Sequence, residues 1–316
     1  MRATLALTVM LLASTAGCAA FSDDGPGGSG GIAAGEDVTV AAAFYPLAFV
    51  AERVGGDHVQ VTNLTQAGNE PHDLSLSVKE TAEIEDADLV LVEHGFQPSV
   101  DDAVDQVAAG RVIDVADVVE LEPVEEHAED HGTDTEDHEG HDHGDVDPHF
   151  WQDPDRMATL TESVADELSD LDPDHAEIYR SNASKLVGEL GALATAYDEG
   201  LSGCERDTVV VSHDAFGYLG RFGLHIESVA GLSPEAEPTP ADLAHLQDLI
   251  QEDGITTVFS ERLVSRRLTQ TLADDMGITT AVLDPIEGLS DETADEDYLS
   301  LMRENLSALE LANGCP

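Results

Sequence analysis

Four side chains of metal-binding type stand where short apolar runs end. His72 follows the run 58–64 within NEPHDL, His149 lies in DPHFWQDP, His213 directly follows Val209-Val210-Val211-Ser212, and Asp284 follows Ala281-Val282-Leu283 just before Pro285. Imidazole nitrogen and carboxylate oxygen are the donors that suit zinc and its borderline neighbours. Three neutral imidazoles and one carboxylate fit a tetrahedral Zn2+ ion, with bonds to nitrogen of about 2.0–2.1 Å. A lone histidine at a strand end is more often a satisfied polar group than a ligand, so the joint occurrence carries the argument. His94 and Glu261 also fall at strand ends, and Glu261 is the better candidate for a carboxylate that orients one of the rings. His58, His175, His225 and His245 lie inside predicted elements and are assigned no role.

A second concentration of donors lies in EEHAEDHGTDTEDHEGHDHGDVDPHFWQDP, residues 125–154. Six of the thirteen histidines, His127, His131, His138, His141, His143 and His149, are interleaved there with Asp and Glu, and no Lys or Arg occurs between Arg111 and Arg156. Such a composition cannot bury enough apolar surface to offset chain entropy, so residues 123–147 are expected to form a disordered, solvated loop. The first five of these histidines would make an auxiliary, loosely metal-collecting site, delivered beside His149 where Pro148, Phe150 and Trp151 restore order. The plainer alternative is an acidic linker with incidental histidines.

The elements that must position these donors follow a repeating rhythm. Apolar runs at 38–44, 58–64, 88–93 and 111–115 alternate with helical patterns at 46–54, 77–84 and 99–107. After a polar helical tract at 154–199, broken near Pro173, further runs at 208–212, 226–230, 256–260 and 279–283 alternate with helical patterns at 215–222, 240–252 and 264–276, and a last helix covers 296–311. Alternation at this spacing implies βαβ units and parallel sheets. The expected fold is α/β: two similar lobes, each a four-stranded parallel sheet flanked by helices, joined by a long helix. Ligands of such sheets gather beyond the carboxyl ends of the strands, where all four candidate donors lie. The chain divides into a leader at 1–17, a leash at 18–36, a first lobe at 37–153, a connecting helix at 154–200 and a second lobe at 201–316.

Charge narrows the partners. Sixty-six acidic residues against thirteen Lys and Arg give a net charge of −53, which excludes nucleic acid and favours cations, although most of the excess serves solubility. The first eighteen residues, MRATLALTVMLLASTAGC, have a basic residue, an apolar stretch too short to span a bilayer and then small residues, the pattern of a secretory signal. Thr-Ala-Gly-Cys resembles a bacterial lipobox, so Cys18 is expected to carry lipid and anchor the chain outside a cell membrane. Of the three cysteines, Cys204 and Cys315 then remain, and two thiols in an oxidising compartment are most simply a disulfide.

The lipobox, EPHD around His72, DPHFWQDP around His149, VVSHDAFGYLGRFGL around His213 and LDP around Asp284 together resemble the zinc-uptake solute-binding proteins of metal ABC transporters, in the same order over essentially the whole mature chain. The resemblance implies a rigid connecting helix, a metal held between the lobes, and hand-over to a membrane permease driven by a cytoplasmic ATPase. It carries over His72, His149 and His213 as ligands and Asp284 as the fourth, where a nearby loop carboxylate or water could serve instead. Manganese members have a glutamate where this chain has His213, which favours zinc. The chain is expected to act as a monomer and not as an enzyme. The competing readings are a zinc hydrolase, against which stands the lack of an HExxH motif, and a surface adhesin or zinc buffer on the same fold.

Overall fold

The computed structural model describes residues 37–124 and 146–316. In the first lobe, strands β1 (Val38–Ala42), β2 (Val59–Asn63), β3 (Leu89–Val92) and β4 (Arg111–Asp114) lie parallel in the order β2-β1-β3-β4. The central strand β3 reads LVLV and is buried throughout, while the edge strands β2 and β4 are only partly covered. Apolar centres with mixed edges are what a parallel sheet covered on both faces demands. Helices α1 (Tyr45–Gly55), α2 (Val78–Asp86), α3 (Pro98–Val107) and the short α4 (Val115–Val118) are set by local signals. Pro46 enters the first turn of α1, where a missing N–H costs nothing, and Ser77 and Glu80 cap α2 reciprocally.

The connecting tract, expected to break near Pro173, is two helices, α5 (Pro154–Leu171) and α6 (Ala176–Gly200), packed along each other. Pro173 lacks an N–H and pushes Asp172 out of the helical region. The Asp172 carboxylate then lies 2.6 Å from His175 Nδ1 and accepts the Tyr179 hydroxyl at 2.8 Å, which fixes the turn. The long helix α6 has 25 residues, about 38 Å at 1.5 Å per residue. It grips the first lobe through Asn182, which donates to the Val54 carbonyl at 2.9 Å, and through an Arg53–Glu189 ion pair.

In the second lobe, β5 (Thr208–Val211), β6 (His225–Ser228), β7 (Thr257–Ser260) and β8 (Thr279–Val282) repeat the order of the first sheet as β6-β5-β7-β8. Helices α7 (Pro240–Glu252), α8 (Arg267–Met276) and α9 (Tyr298–Asn313) flank it, and the Tyr197 hydroxyl of α6 donates to the Met302 carbonyl of α9 at 2.7 Å. One apolar core runs from β1 through α1, α5 and α6 to α9, and a smaller one, including Val210, Leu246, Ile250, Val258 and Leu272, lies under α7 and α8. Cys204 and Cys315 are disulfide-bonded, closing a sequence separation of 111 and tying the end of the chain to the start of the second lobe.

Two expectations change. The segment 215–222 is not an α-helix but a 3-10 stretch, Gly217–Phe222, because glycines at 217, 220 and 223 lower helix propensity. The ends of the acidic run are ordered: Pro123 and Val146 form an antiparallel bridge, and Asp147 N–H donates to the Glu122 carbonyl at 2.8 Å. Cys18, the leader, the leash and the histidines 127, 131, 138, 141 and 143 lie outside the described residues. Among the described residues no helix is long and apolar enough to cross a membrane.

Candidate metal centre

His72 sits in the turn after β2, where its own N–H reaches Glu70 Oε1 at 3.0 Å. Gln97, at the start of α3, donates to the Pro71 carbonyl at 3.0 Å, and Phe96 packs edge-on against the imidazole. His149 follows the bridge at the root of the acidic run. Asp147 Oδ1 accepts its backbone N–H at 2.9 Å and lies 2.8 Å from its Nδ1, so one carboxylate oxygen fixes both main chain and ring. His213 follows β5, and its Nδ1 lies 2.6 Å from Oε1 of Glu261, which directly follows β7 and also accepts the Ser212 hydroxyl. With Nδ1 engaged, each of these two rings presents Nε2 inward, the arrangement by which outer carboxylates orient metal-binding histidines.

The fourth group is Glu287. Its Oε1 lies 3.4 Å from His72 Nε2, 3.4 Å from His149 Nε2 and 3.3 Å from His213 Nε2. A tetrahedron with bonds of about 2.0–2.1 Å has edges of about 3.3–3.4 Å, so these three separations match three edges of a zinc shell. The donor atoms all lie within 4.8 Å of one another, and the four residues are buried. The Nε2 atoms of His149 and His213 make no hydrogen bond of acceptable geometry despite complete burial. Buried polar atoms without partners are rare, and these aim at a common focus that a cation would satisfy.

Asp284 is not in this cluster. Its Oδ2 accepts Arg262 Nε at 2.9 Å and its Oδ1 accepts the Ile286 N–H at 2.9 Å, while Asn305 brackets its main chain, accepting from N at 2.8 Å and donating to O at 2.6 Å. The chain then turns through Pro285 and Ile286, the latter at φ 60°, a left-handed conformation that β-branched residues rarely adopt. That turn brings the residue three places later into the centre. The Pro285 carbonyl accepts Trp151 Nε1 at 2.7 Å and Gln152 Nε2 at 2.6 Å, which fastens the His149 segment to the Glu287 segment. His94 lies outside the site, within ion-pair distance of Asp105 and Asp114. Glu287 and Asp147 were missed in the sequence. The available signals were an acid three residues beyond the LDP turn, and an acid two residues before His149 that was submerged among its acidic neighbours.

The electrostatics favour a cation. Burial alone would lower His149, but its hydrogen bond to Asp147 and the charge of Glu287 beside it outweigh that and hold the ring at about 9. His213 is likewise raised to about 10, with Glu261 and Glu287 overcoming burial. Burial would raise Glu287, yet contacts with His149, His213 and His72 hold it well below the usual carboxylate range. Without an ion, the protons on His149 and His213 balance the carboxylates there, and they must leave before Zn2+ can take their place.

Fold and site together define a two-lobed α/β binding protein with a buried three-histidine, one-carboxylate centre. The family described as zinc-uptake complex component A, periplasmic, matches residues 40–312, and the chain belongs to it. Among its relatives is the zinc-binding lipoprotein AdcA of Streptococcus pneumoniae serotype 4, 37% identical over 281 residues that make up 86% of this chain and 55% of the relative. Another is the high-affinity zinc uptake system protein ZnuA of Bacillus subtilis, 31% identical over 279 residues and 87% of each chain. The crystal structure of Zn(II)-bound AdcA from Streptococcus pneumoniae is similar with a TM-score of 0.72 and 33% identity, over 88% of this chain and 58% of that one. The laminin-binding protein Lmb of Streptococcus agalactiae, described as having adhesin and metal transporting activity, gives a TM-score of 0.75 at 28% identity over 87% and 99%. The chain spans about half the length of the AdcA relatives it matches.

Proposed function

We propose that this protein captures Zn2+ outside the cell membrane and delivers it to the permease of a metal ABC transporter, whose ATPase drives uptake. The single observation that carries the reading is one carboxylate oxygen of Glu287 standing 3.3–3.4 Å from three imidazole Nε2 atoms. Membership of the zinc-uptake family and likeness to a Zn(II)-bound relative support the choice of ion. So does the chemistry, since three imidazoles favour zinc over manganese. Here zinc is cargo. His72, His149, His213 and Glu287 would hold it, with Glu287 taking the place expected for Asp284. Glu261 and Asp147 would orient two of the rings.

This reading favours binding over catalysis. A catalytic zinc site keeps one position open for water or substrate, whereas here four protein donors close the shell. Lipid on Cys18 would anchor the chain, and the five histidines between 127 and 143 would gather further, weaker ions near the centre. The test is elemental analysis of the mature protein purified without added metal, followed by competitive titration with a zinc chelator. About one tightly held zinc per chain is expected after the weak ions are washed away, and a chain that retains none would refute the proposal.

A further inference from the structure

The two backbone strands at the root of the acidic run are joined by an unusual rung. In an antiparallel pair, two opposed residues exchange both of their N–H···O bonds. Asp147 N–H does donate directly to the Glu122 carbonyl, at 2.8 Å. The reciprocal bond is relayed: Glu122 N–H donates to the Tyr218 hydroxyl at 2.9 Å, and that hydroxyl donates to the Asp147 carbonyl at 2.7 Å. Tyr218 belongs to the 3-10 stretch five residues beyond His213, is 1% exposed, and carries the Arg156 guanidinium over its ring at 4.8 Å. A side chain of the second lobe is therefore wedged into the ladder that leads to His149.

Asp147 is held on its other side as well. A Cβ added to Gly217 would come within 2.7 Å of Asp147 Oδ2, so the missing side chain at 217 leaves the space that the carboxylate occupies. The other oxygen, Oδ1, is the one that fixes the His149 ring and main chain. Tyr218 and Gly217 thus define where Asp147 stands, and Asp147 defines where His149 Nε2 points.

We infer that Tyr218 is a positioning residue, whose hydroxyl spaces Asp147 from Glu122 and so sets the orientation of His149 and the rate at which the centre releases its ion. Without the hydroxyl, Glu122 N–H and Asp147 C=O would be left unpaired, or the rung would close directly and draw Asp147 toward Glu122. Either change moves the carboxylate on which His149 depends. The inference rests on the zinc-binding reading above and adds that a residue touching no donor atom of the ion governs its release.

The experiment is stopped-flow release of zinc from the full chain to a chromophoric chelator. Loss of a direct outer partner of a metal-binding histidine costs about 10–100-fold in affinity, and Tyr218→Phe, one bond further out, should speed release about 10-fold. In an Asp147→Ala background, which leaves no side-chain oxygen to hold His149, it should add nothing, because the path through Asp147 is then broken. Gly217→Ala leaves the hydroxyl in place and crowds Asp147 from the opposite side, so it should also speed release, which covers the case of a poorly folding phenylalanine variant. An unchanged rate in both single variants, or the same factor from Tyr218→Phe in both backgrounds, would overturn the inference while leaving zinc capture intact. A wild-type chain that takes up no zinc would overturn both.

Discussion

The two lobes share a strand order but hold their histidines by different means. His149 is oriented by Asp147, two residues away on the same stretch of chain, and the same oxygen also accepts the His149 main-chain N–H. His213 is oriented by Glu261, forty-eight residues away at the end of a neighbouring strand. Local support is built by a turn and survives as long as the turn does. Remote support needs β5 and β7 in register, so it makes the His213 donor depend on the folding of the second sheet.

The largest effect should come from removing the rings themselves. His149→Ala and His213→Ala would each delete one bond to the proposed ion, and each should weaken zinc binding by more than the roughly 10–100-fold that loss of an outer partner costs. The two losses should be similar despite the difference in support. Competitive titration checks this, and an effect of only a few-fold for either would place that ring outside the shell.

The next effect separates the lobes. Glu261→Gln should cost more than Asp147→Asn, with both near or within about 10–100-fold. An asparagine at 147 keeps a carbonyl oxygen that the turn itself holds against the His149 N–H. A glutamine at 261 must present one oxygen to both Ser212 and His213 from a longer side chain reaching across strands. Equal costs, or the reverse order, would remove the distinction between local and remote support.

Proton competition gives a third effect, graded with pH. His149 at about 9 and His213 at about 10 both hold protons near neutrality in the ion-free chain. Zinc binds neutral imidazole, so uptake must release these protons and affinity must rise with pH. The rise should flatten first as pH passes about 9 and then as it passes about 10. Zinc added at pH 7 in weak buffer should release about two protons per ion from these two groups. Both folded values lie above the roughly 6.5 of free histidine, so these contacts stabilise the ion-free chain fully below that pH. The contribution is then lost as pH rises through about 9 and 10. A flat affinity profile between pH 6 and 8 would show that the rings are already neutral.

The same contrast between local and remote explains what the sequence revealed. The βα rhythm and the histidines that follow β2 and β5 were legible because periodicity and strand termini are local patterns, and His149 was legible because Pro, Phe and Trp end the acidic run beside it. Glu287 was not, because its entry depends on the left-handed Ile286 and on Asp284 being engaged by Arg262 and Asn305, contacts that cross up to 22 positions in sequence. Pro173 marked the break in the helical tract, but the packing of α5 on α6 that turns one rod into a pair is a tertiary result. Asp147 was hidden by composition, since one functional acid among so many surface acids carries no distinguishing signal.

The smallest effect on zinc should come from the covalent link in the second lobe. The Cys204–Cys315 bond closes a loop of about 110 residues, for which the chain-entropy model allows roughly 4–5 kcal/mol before strain. Cys204→Ser with Cys315→Ser should therefore lower the melting temperature markedly. Yet Cys204 precedes the amino end of β5, while His213 follows its carboxyl end, and four residues of strand at about 3.3 Å each separate the two. The bond fastens the edge of the sheet opposite the ligands. Glu205 and Arg206 also donate to the Asn313 carbonyl at 3.0 and 3.1 Å, which keeps the chain end in place without sulfur. Zinc affinity should then change by no more than about two-fold, and the rise in melting temperature on adding zinc, which depends on ion concentration and dissociation constant, should be preserved. If that rise disappeared in the double variant, the amino edge of the second sheet would be coupled to the His213 donor, and remote support would extend further than Glu261.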